Sequence, residues 1–254
     1  MQMSIQDILT SLLAERRDID VRKLPSQGLF YPEDLRLSIR KAEFWDILEY
    51  ESNIDRTNIL KSLECIKSVV ERCAILNPPY VYGHLRSVDI IFIFLEIVKF
   101  TNGRDIMVRY DDRMGVQRQV AFGPETFNYF DFSPFMKHYN PESREMVING
   151  YRFSFPAIGV ENSLARHIAN SKDASRFKNI AFDFLFFVSG RHGLEDHEVE
   201  NLIQIFNHDL DAAEREKVSA IIANFAGIVS YSLRVDGVKV EIKSNINLEN
   251  IWHT

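Results

Sequence analysis

Apolar residues recur at helical spacing through much of this chain, broken by short alternating stretches. Ile5, Ile8, Leu9, Leu12 and Leu13 fall at i, i+3, i+4, i+7 and i+8, which predicts an amphipathic helix over residues 4–17 closed by the polar Arg16-Arg17-Asp18. Leu35, Leu37 and Ile39 alternate with polar residues and predict a strand over 35–40. A helix over 42–51 would turn Phe44, Ile47 and Leu48 inward. The clearest helix covers 56–76. Its Ile59, Leu63, Ile66, Val70 and Cys73 are spaced by four and three, a heptad-like seam with Lys61, Glu64, Lys67 and Glu71 on other faces. The seam reads as a core helix, with pairing to a partner helix as the sharper reading. Asn77-Pro78-Pro79 breaks the chain. Ser87 then suits the N-cap of a buried helix over 88–100 carrying Ile90, Ile91, Phe94, Leu95 and Val98, and Gly103 stops it.

Strand signals follow. Residues 105–110 and 116–122 read as a hairpin around Asp111-Asp112-Arg113-Met114-Gly115. Residues 124–139 form a loop rich in Phe and Tyr. Residues 144–155 read as a second hairpin turning at Asn149-Gly150. Helices are expected over 161–171, 174–188, 196–208 and 212–226, with Asp173 and Asp211 as N-caps and Asp211 with Glu214 as a capping box. Buried stripes are Val199, Leu202, Ile203 and Phe206, then Val218, Ile221, Ile222 and Phe225. A last hairpin over 228–243 turns at Asp236-Gly237.

The fold class read from this pattern is α+β, predominantly helical, with two or three β-hairpins. Helices leading to a hairpin and an aromatic tail occur at 56–132 and again at 174–252, a coarse duplication that reads as two loosely related halves. One division has an N-terminal part, 1–140, and a C-terminal helical part, 141–254, ending in a hairpin. The other keeps one compact unit.

The chain is organised around Leu24-Pro25-Ser26-Gln27-Gly28-Leu29-Phe30-Tyr31-Pro32. Pro25 and Pro32 fix φ and remove two backbone donors, so this cannot be a helix interior. Gly28 suits a positive φ in a turn. A loop carrying Leu29, Phe30 and Tyr31 together must be pinned to a core or to a partner. The candidate structural or docking residues are therefore Pro25, Gly28, Phe30, Tyr31 and Pro32, together with Phe127, Tyr129, Phe130 and Phe132 of the aromatic loop. Phe30 is expected to pack inside its own domain, with Tyr31 or the loop at 127–135 more open to partners.

Composition sets limits. In 254 residues the hydrophobic share is 46%, the charged share 26%, and there are 19 Phe, which suits a globular chain with a large aromatic core or interface. A net charge of −6 argues against a general phosphate-backbone binder, so no nucleic acid is expected. The longest apolar runs, 90–95 and 184–188, are too short to span a bilayer. The two cysteines, Cys65 and Cys73, lie eight apart on one helix. At 1.5 Å per residue they sit about 12 Å apart, too far for a disulfide, so buried free thiols in a reducing compartment are expected.

His192, Glu195, Asp196, His197, His208 and Asp209 form the best enzyme-like constellation. Its spacing matches no metal-site pattern, and an acidic helix start beside a surface histidine explains it. No metal, cofactor or catalytic residue is assigned. A metal-dependent enzyme centred on 192–209 is the alternative reading. Asp111-Asp112 reads as turn chemistry. No Walker loop, Gly-x-Gly-x-x-Gly or Gly-x-Ser-x-Gly occurs.

The order Leu-Pro-Ser-x-Gly-x-x-Tyr at 24–31, then Ser38-Ile39-Arg40, Glu43, the helix around Cys65 to Cys73, 89–95 and Asn102-Gly103 resembles the baseplate hub assembly proteins of T4-like contractile-tailed bacteriophages, mainly over residues 20–110. Many relatives carry a cysteine-pair knuckle in their later β region. This chain has no cysteine there, so no metal knuckle is carried over. The resemblance implies a non-enzymatic assembly factor, chaperone or hub component acting by protein–protein interaction in the cytoplasm of the infected bacterial host. Its partners would be other phage hub or tail proteins, and homo-oligomerisation is left open.

Overall fold

A computed structural model describes residues 15–55, 57–148, 151–170, 211–242, 246, 248 and 251–253. The helix expected over 4–17 falls mostly on residues 1–14, outside them. So do the helices expected over 174–188 and 196–208, and the histidine–carboxylate constellation.

The described chain starts in strand β1 (Arg16–Ile19), so Arg16 and Arg17 lie in a strand rather than closing a helix. β1 runs antiparallel to β2 (Leu37–Arg40), which pairs on its other edge with β3 (Ala74–Leu76). Between β2 and β3 lie helices α1 (Phe44–Asn53) and α2 (Ile59–Cys73). The helix expected to reach residue 76 ends at Cys73, because Ala74, Ile75 and Leu76 pair with β2 instead. Helix α3 (Ile90–Asn102) is apolar on nearly every face and forms the centre of the core, as a wholly apolar helix must. Gly103, at φ +65°, closes it in the left-handed region. Strands β4 (Met107–Asp111) and β5 (Gln117–Ala121) form a hairpin. Strands β6 (Tyr139–Asn140), β7 (Glu145–Ile148) and β8 (Tyr151–Phe153) form a second three-stranded sheet. Helices α4 (Ile158–Asn170) and α5 (Ala212–Gly227) precede a final hairpin of β9 (Ser232–Val235) and β10 (Val238–Glu241). Asp236 and Gly237 both take positive φ at its turn, as a two-residue type I′ connection requires.

Among the described residues there are thus five α-helices and ten strands in four small sheets. The fold is α+β, but it is not predominantly helical. Short paired segments at 16–19, 74–76 and 139–140 lack the length that makes a strand visible in a pattern. None of the described helices is long and apolar enough to cross a membrane. Both cysteines are free and buried.

Two expected faces are corrected. On α1, Phe44 and Leu48 point outward, at 67% and 40% exposure, while Asp46 and Tyr50 are buried. The cause is the pair of arginines beneath the helix. Asp46 binds Arg40 Nη1 at 2.9 Å and Arg72 Nε at 2.6 Å, and it also accepts from the Glu43 amide. Burial raises the Asp46 pKa, but these donors outweigh it and hold the carboxyl below its ordinary value. On α2, Ile66, Val69, Val70 and Cys73 are buried while Leu63 is only half-buried. The loss of about 2–5 kcal/mol usual for truncating a buried aliphatic side chain is therefore expected of Ile66→Ala and not of Leu63→Ala. In a urea titration Ile66→Ala should show that loss and Leu63→Ala clearly less.

Candidate functional site

The proline loop is a run of tight turns. After β1, Asp20 caps a short 3-10 turn over Val21–Lys23 by accepting from the Arg22 amide. Four i→i+3 backbone bonds follow: Gln27 to Leu24, Leu29 to Ser26, Tyr31 to Gly28 and Leu35 to Pro32. Gln27 and Gly28 both take positive φ, at 54° and 72°. A Cβ on Gly28 would sit 3.4 Å from the backbone of Val21 and Arg22, so the turn also brings two chain segments close.

Beneath the loop lies a buried polar network joining it to the start of α3. The Asp89 carboxylate is fully enclosed. It accepts from the Ser26 amide at 2.8 Å, the Ser26 hydroxyl at 2.7 Å and the Tyr31 hydroxyl at 2.7 Å. The Tyr31 oxygen in turn accepts from the Arg86 amide at 2.9 Å. Arg86 is also buried. Its Nε and Nη2 donate to the Phe30 carbonyl and its Nη1 to the Phe155 carbonyl. Ser87 is not the helix cap. Residues Ser87–Asp89 form a 3-10 turn, and Asp89 occupies the N-cap position with its side chain turned to the loop instead of to its own helix.

Burial raises the Asp89 pKa to about 6, against the lowering effect of its three donors and Arg86. The Tyr31 phenol is pushed well above its ordinary value, first by burial and then by the neighbouring Asp89 charge. Burial lowers the Arg86 guanidinium. All three side-chain nitrogens of Arg86 already donate to carbonyls, and both Asp89 oxygens already accept. The arrangement holds the backbone of Ser26, Phe30 and Phe155 in place.

An aromatic cluster encloses the other side of the loop. Phe30 meets Phe132, Tyr139, Phe155 and Phe225 edge-on, with centroids 5.4–6.5 Å away. Phe155 and Phe225 stack at 4.7 Å. Phe130 continues the cluster to Tyr231 and Phe127. The aromatic loop is tied to the proline loop through its backbone as well. Gln27 donates to the Phe130 carbonyl, Tyr129 to Lys23 and Tyr139 to Leu29. The cluster thus draws on residues from both sides of position 140.

The structure places the sequence-derived candidates as follows. Pro25, Phe30, Tyr31, Phe127, Phe130 and Phe132 are buried, while Gly28, Pro32 and Tyr129 are half-buried. Phe30 packs internally as expected. Of the two places expected to be more open, Tyr31 is not, since it is 1% exposed and its hydroxyl completes the polar network; in the loop at 127–135, Phe127, Phe130 and Phe132 are buried but Tyr129 and Phe135 are half-buried. Ser26, Arg86 and Asp89, the polar half of the site, are not among the sequence-derived candidates. The one local signal is Asp89 standing directly before a helix that is apolar on nearly every face.

A groove of about 670 Å³ opens beside the loop, lined by residues that include Phe30, Pro32, Glu33, Arg86, Glu142 and Arg144. Arg144 is paired with Glu33. Asp112 does turn chemistry, accepting from the Met114 and Val116 amides and from Arg118. Among the described residues, no group of three or more His, Cys, Asp or Glu side chains could hold a metal ion. No protein-family model, curated protein or solved structure matches the chain.

Proposed function

We propose that this chain is a non-enzymatic baseplate hub assembly protein of a T4-like contractile-tailed phage, working by protein–protein interaction in the cytoplasm of the infected host. The resemblance of the proline loop and the elements after it supports the partner class. The observation that carries an interaction role is the hairpin of β4 and β5. It leaves Met107, Met114 and Val116 exposed at 47%, 80% and 50%. The three bonds to the Asp112 carboxylate stiffen the turn that bears Met114 and Val116, so the apolar tip is held outward. A preformed tip loses little entropy on docking, and methionine adapts to irregular partner surfaces.

The full-length tagged chain should recover hub or tail subunits from infected cells. The double variant Met114→Asp, Val116→Asp should recover at least about tenfold less, a loss of about 1.4 kcal/mol, with its melting temperature unchanged. Equal recovery would remove the hairpin from the interface. Absence of any phage structural protein from the parent's recovered material would overturn the assembly role.

A further inference from the structure

The groove beside the proline loop is lined by donors that lack acceptors. Arg86 is one of its lining residues and is 7% exposed. Three of its five N–H groups go to the Phe30 and Phe155 carbonyls, which leaves one on each terminal nitrogen. Among the described residues no carboxylate lies within ion-pair distance of it, and Asp89 and Glu145 act on it only from further off. Ser143 also lines the groove, and its enclosed hydroxyl meets no acceptor among the described residues. Arg144 is held at φ +55°, where glycine or asparagine sits with less strain. An arginine there adds a guanidinium to the groove at a cost to the backbone. Its side chain is only a quarter exposed, yet among the described residues Nη2 alone is hydrogen-bonded, to Glu33 Oε1.

These groups share one need, an anionic acceptor, and a guanidinium fork matches a carboxylate in plane and spacing. The chain itself shows a peptide carboxylate on Arg144. Glu33 follows Pro32 out of the loop, and its side chain is 87% exposed. So exposed a partner holds the guanidinium weakly. Phe30, Pro32 and Pro141 give the groove apolar wall, and about 670 Å³ is room for a few residues of peptide rather than for a lone carboxylate. Glu142 is the other acid lining the groove. It is exposed and screened by water and salt, whereas both arginines are largely enclosed. We propose that the groove binds an acidic peptide segment, a glutamate or aspartate flanked by apolar residues, whose carboxylate displaces Glu33 from Arg144. This site is independent of the assembly role and of the β4–β5 hairpin.

The probe is the blocked peptide acetyl-Leu-Glu-Leu-amide, titrated up to about 5 mM into the isotope-labelled full-length chain, with the backbone amide resonances of residues 142–145 as the readout. Saturable shifts are expected. The matching glutamine peptide, acetyl-Leu-Gln-Leu-amide, should bind at least about tenfold more weakly. Glu33→Gln should tighten the glutamate peptide at least about threefold, because it frees Arg144 in advance. Arg144→Gly, which suits the backbone at this φ, should weaken it at least about tenfold. Arg144→Asn, also tolerant of positive φ, takes its place if glycine disturbs the fold. An ion pair with a structural role alone would alter melting when either partner is lost and leave affinity unchanged. Absence of saturation overturns the proposal, as do equal binding of the two peptides, no gain in Glu33→Gln, or full affinity in the Arg144 variant. Glutarate binding as tightly as the glutamate peptide overturns the peptide assignment and gives the groove to small free carboxylates.

Discussion

Asp89→Ala should be among the most damaging single substitutions in the chain. It removes the acceptor shared by the Ser26 amide, the Ser26 hydroxyl and the Tyr31 hydroxyl, and an unsatisfied buried donor costs about 1–3 kcal/mol. Some donors will find substitutes, so the expected loss at pH 7 is about 3–5 kcal/mol in a denaturant titration. The pH dependence has a definite sign. Asp89 titrates near 3.8 when exposed and at about 6 in the fold, so between these values the folded chain binds more protons than the unfolded one. Its contribution is complete below about pH 4 and is lost as pH rises through 6, by about 3 kcal/mol for a shift of this size. The stability gap between wild type and Asp89→Ala should therefore narrow as pH rises from 4 to 7. A gap below 1 kcal/mol at both ends, or one that widens with pH, would show that the network does not hold the loop.

Phe30→Ala should lose about 3–5 kcal/mol, the usual cost of emptying a buried aromatic site. The ring is 1% exposed and touches four other rings, from the aromatic loop, β6, the segment before α4, and α5. Edge-to-face pairs add to the burial energy of each ring, so the upper half of that range is expected. Phe30→Leu should recover part of the loss by refilling volume. A Phe30→Ala protein that melts like the parent but loses its partners would place this ring in an interface and reverse the internal reading.

Much of the local structure is legible in the sequence because each piece has its own chemical signal. Gly28, Gly103 and Asp236-Gly237 sit where a positive φ is needed, and Asp211 with Glu214 forms the expected capping box. What was not legible depends on partners far away in sequence. The spacing of Phe44, Ile47 and Leu48 is a good inward stripe by itself. Ile47 does pack against the core, but Asp46 is buried in place of Phe44 and Leu48 because Arg40 and Arg72 arrive from β2 and α2 to neutralise it. Ser87 is a good cap by type, yet the adjoining Asp89 is claimed by a loop 58–63 residues earlier. The excess of short strands over expectation has the same origin, since three residues such as Ala74–Leu76 become a strand only when β2 lies beside them. In the candidate site the aromatic half was readable from composition. The ionic half was not, because a buried charge is defined by what surrounds it.

The contacts that seal Phe30 also set a timetable for the growing chain. Residues 15–40 emerge early, with the loop and its three large apolar side chains, but Phe155 and Phe225 lie far downstream. Translation at about 5–20 residues per second puts roughly 10–40 s between Phe30 and Phe225. Throughout that interval the loop lacks the rings and the Phe155 carbonyl that complete its enclosure. The loop around Phe30 is thus enclosed only after Phe225 has been made, and until then its apolar side chains are open to capture by a chaperone or by the wrong neighbour.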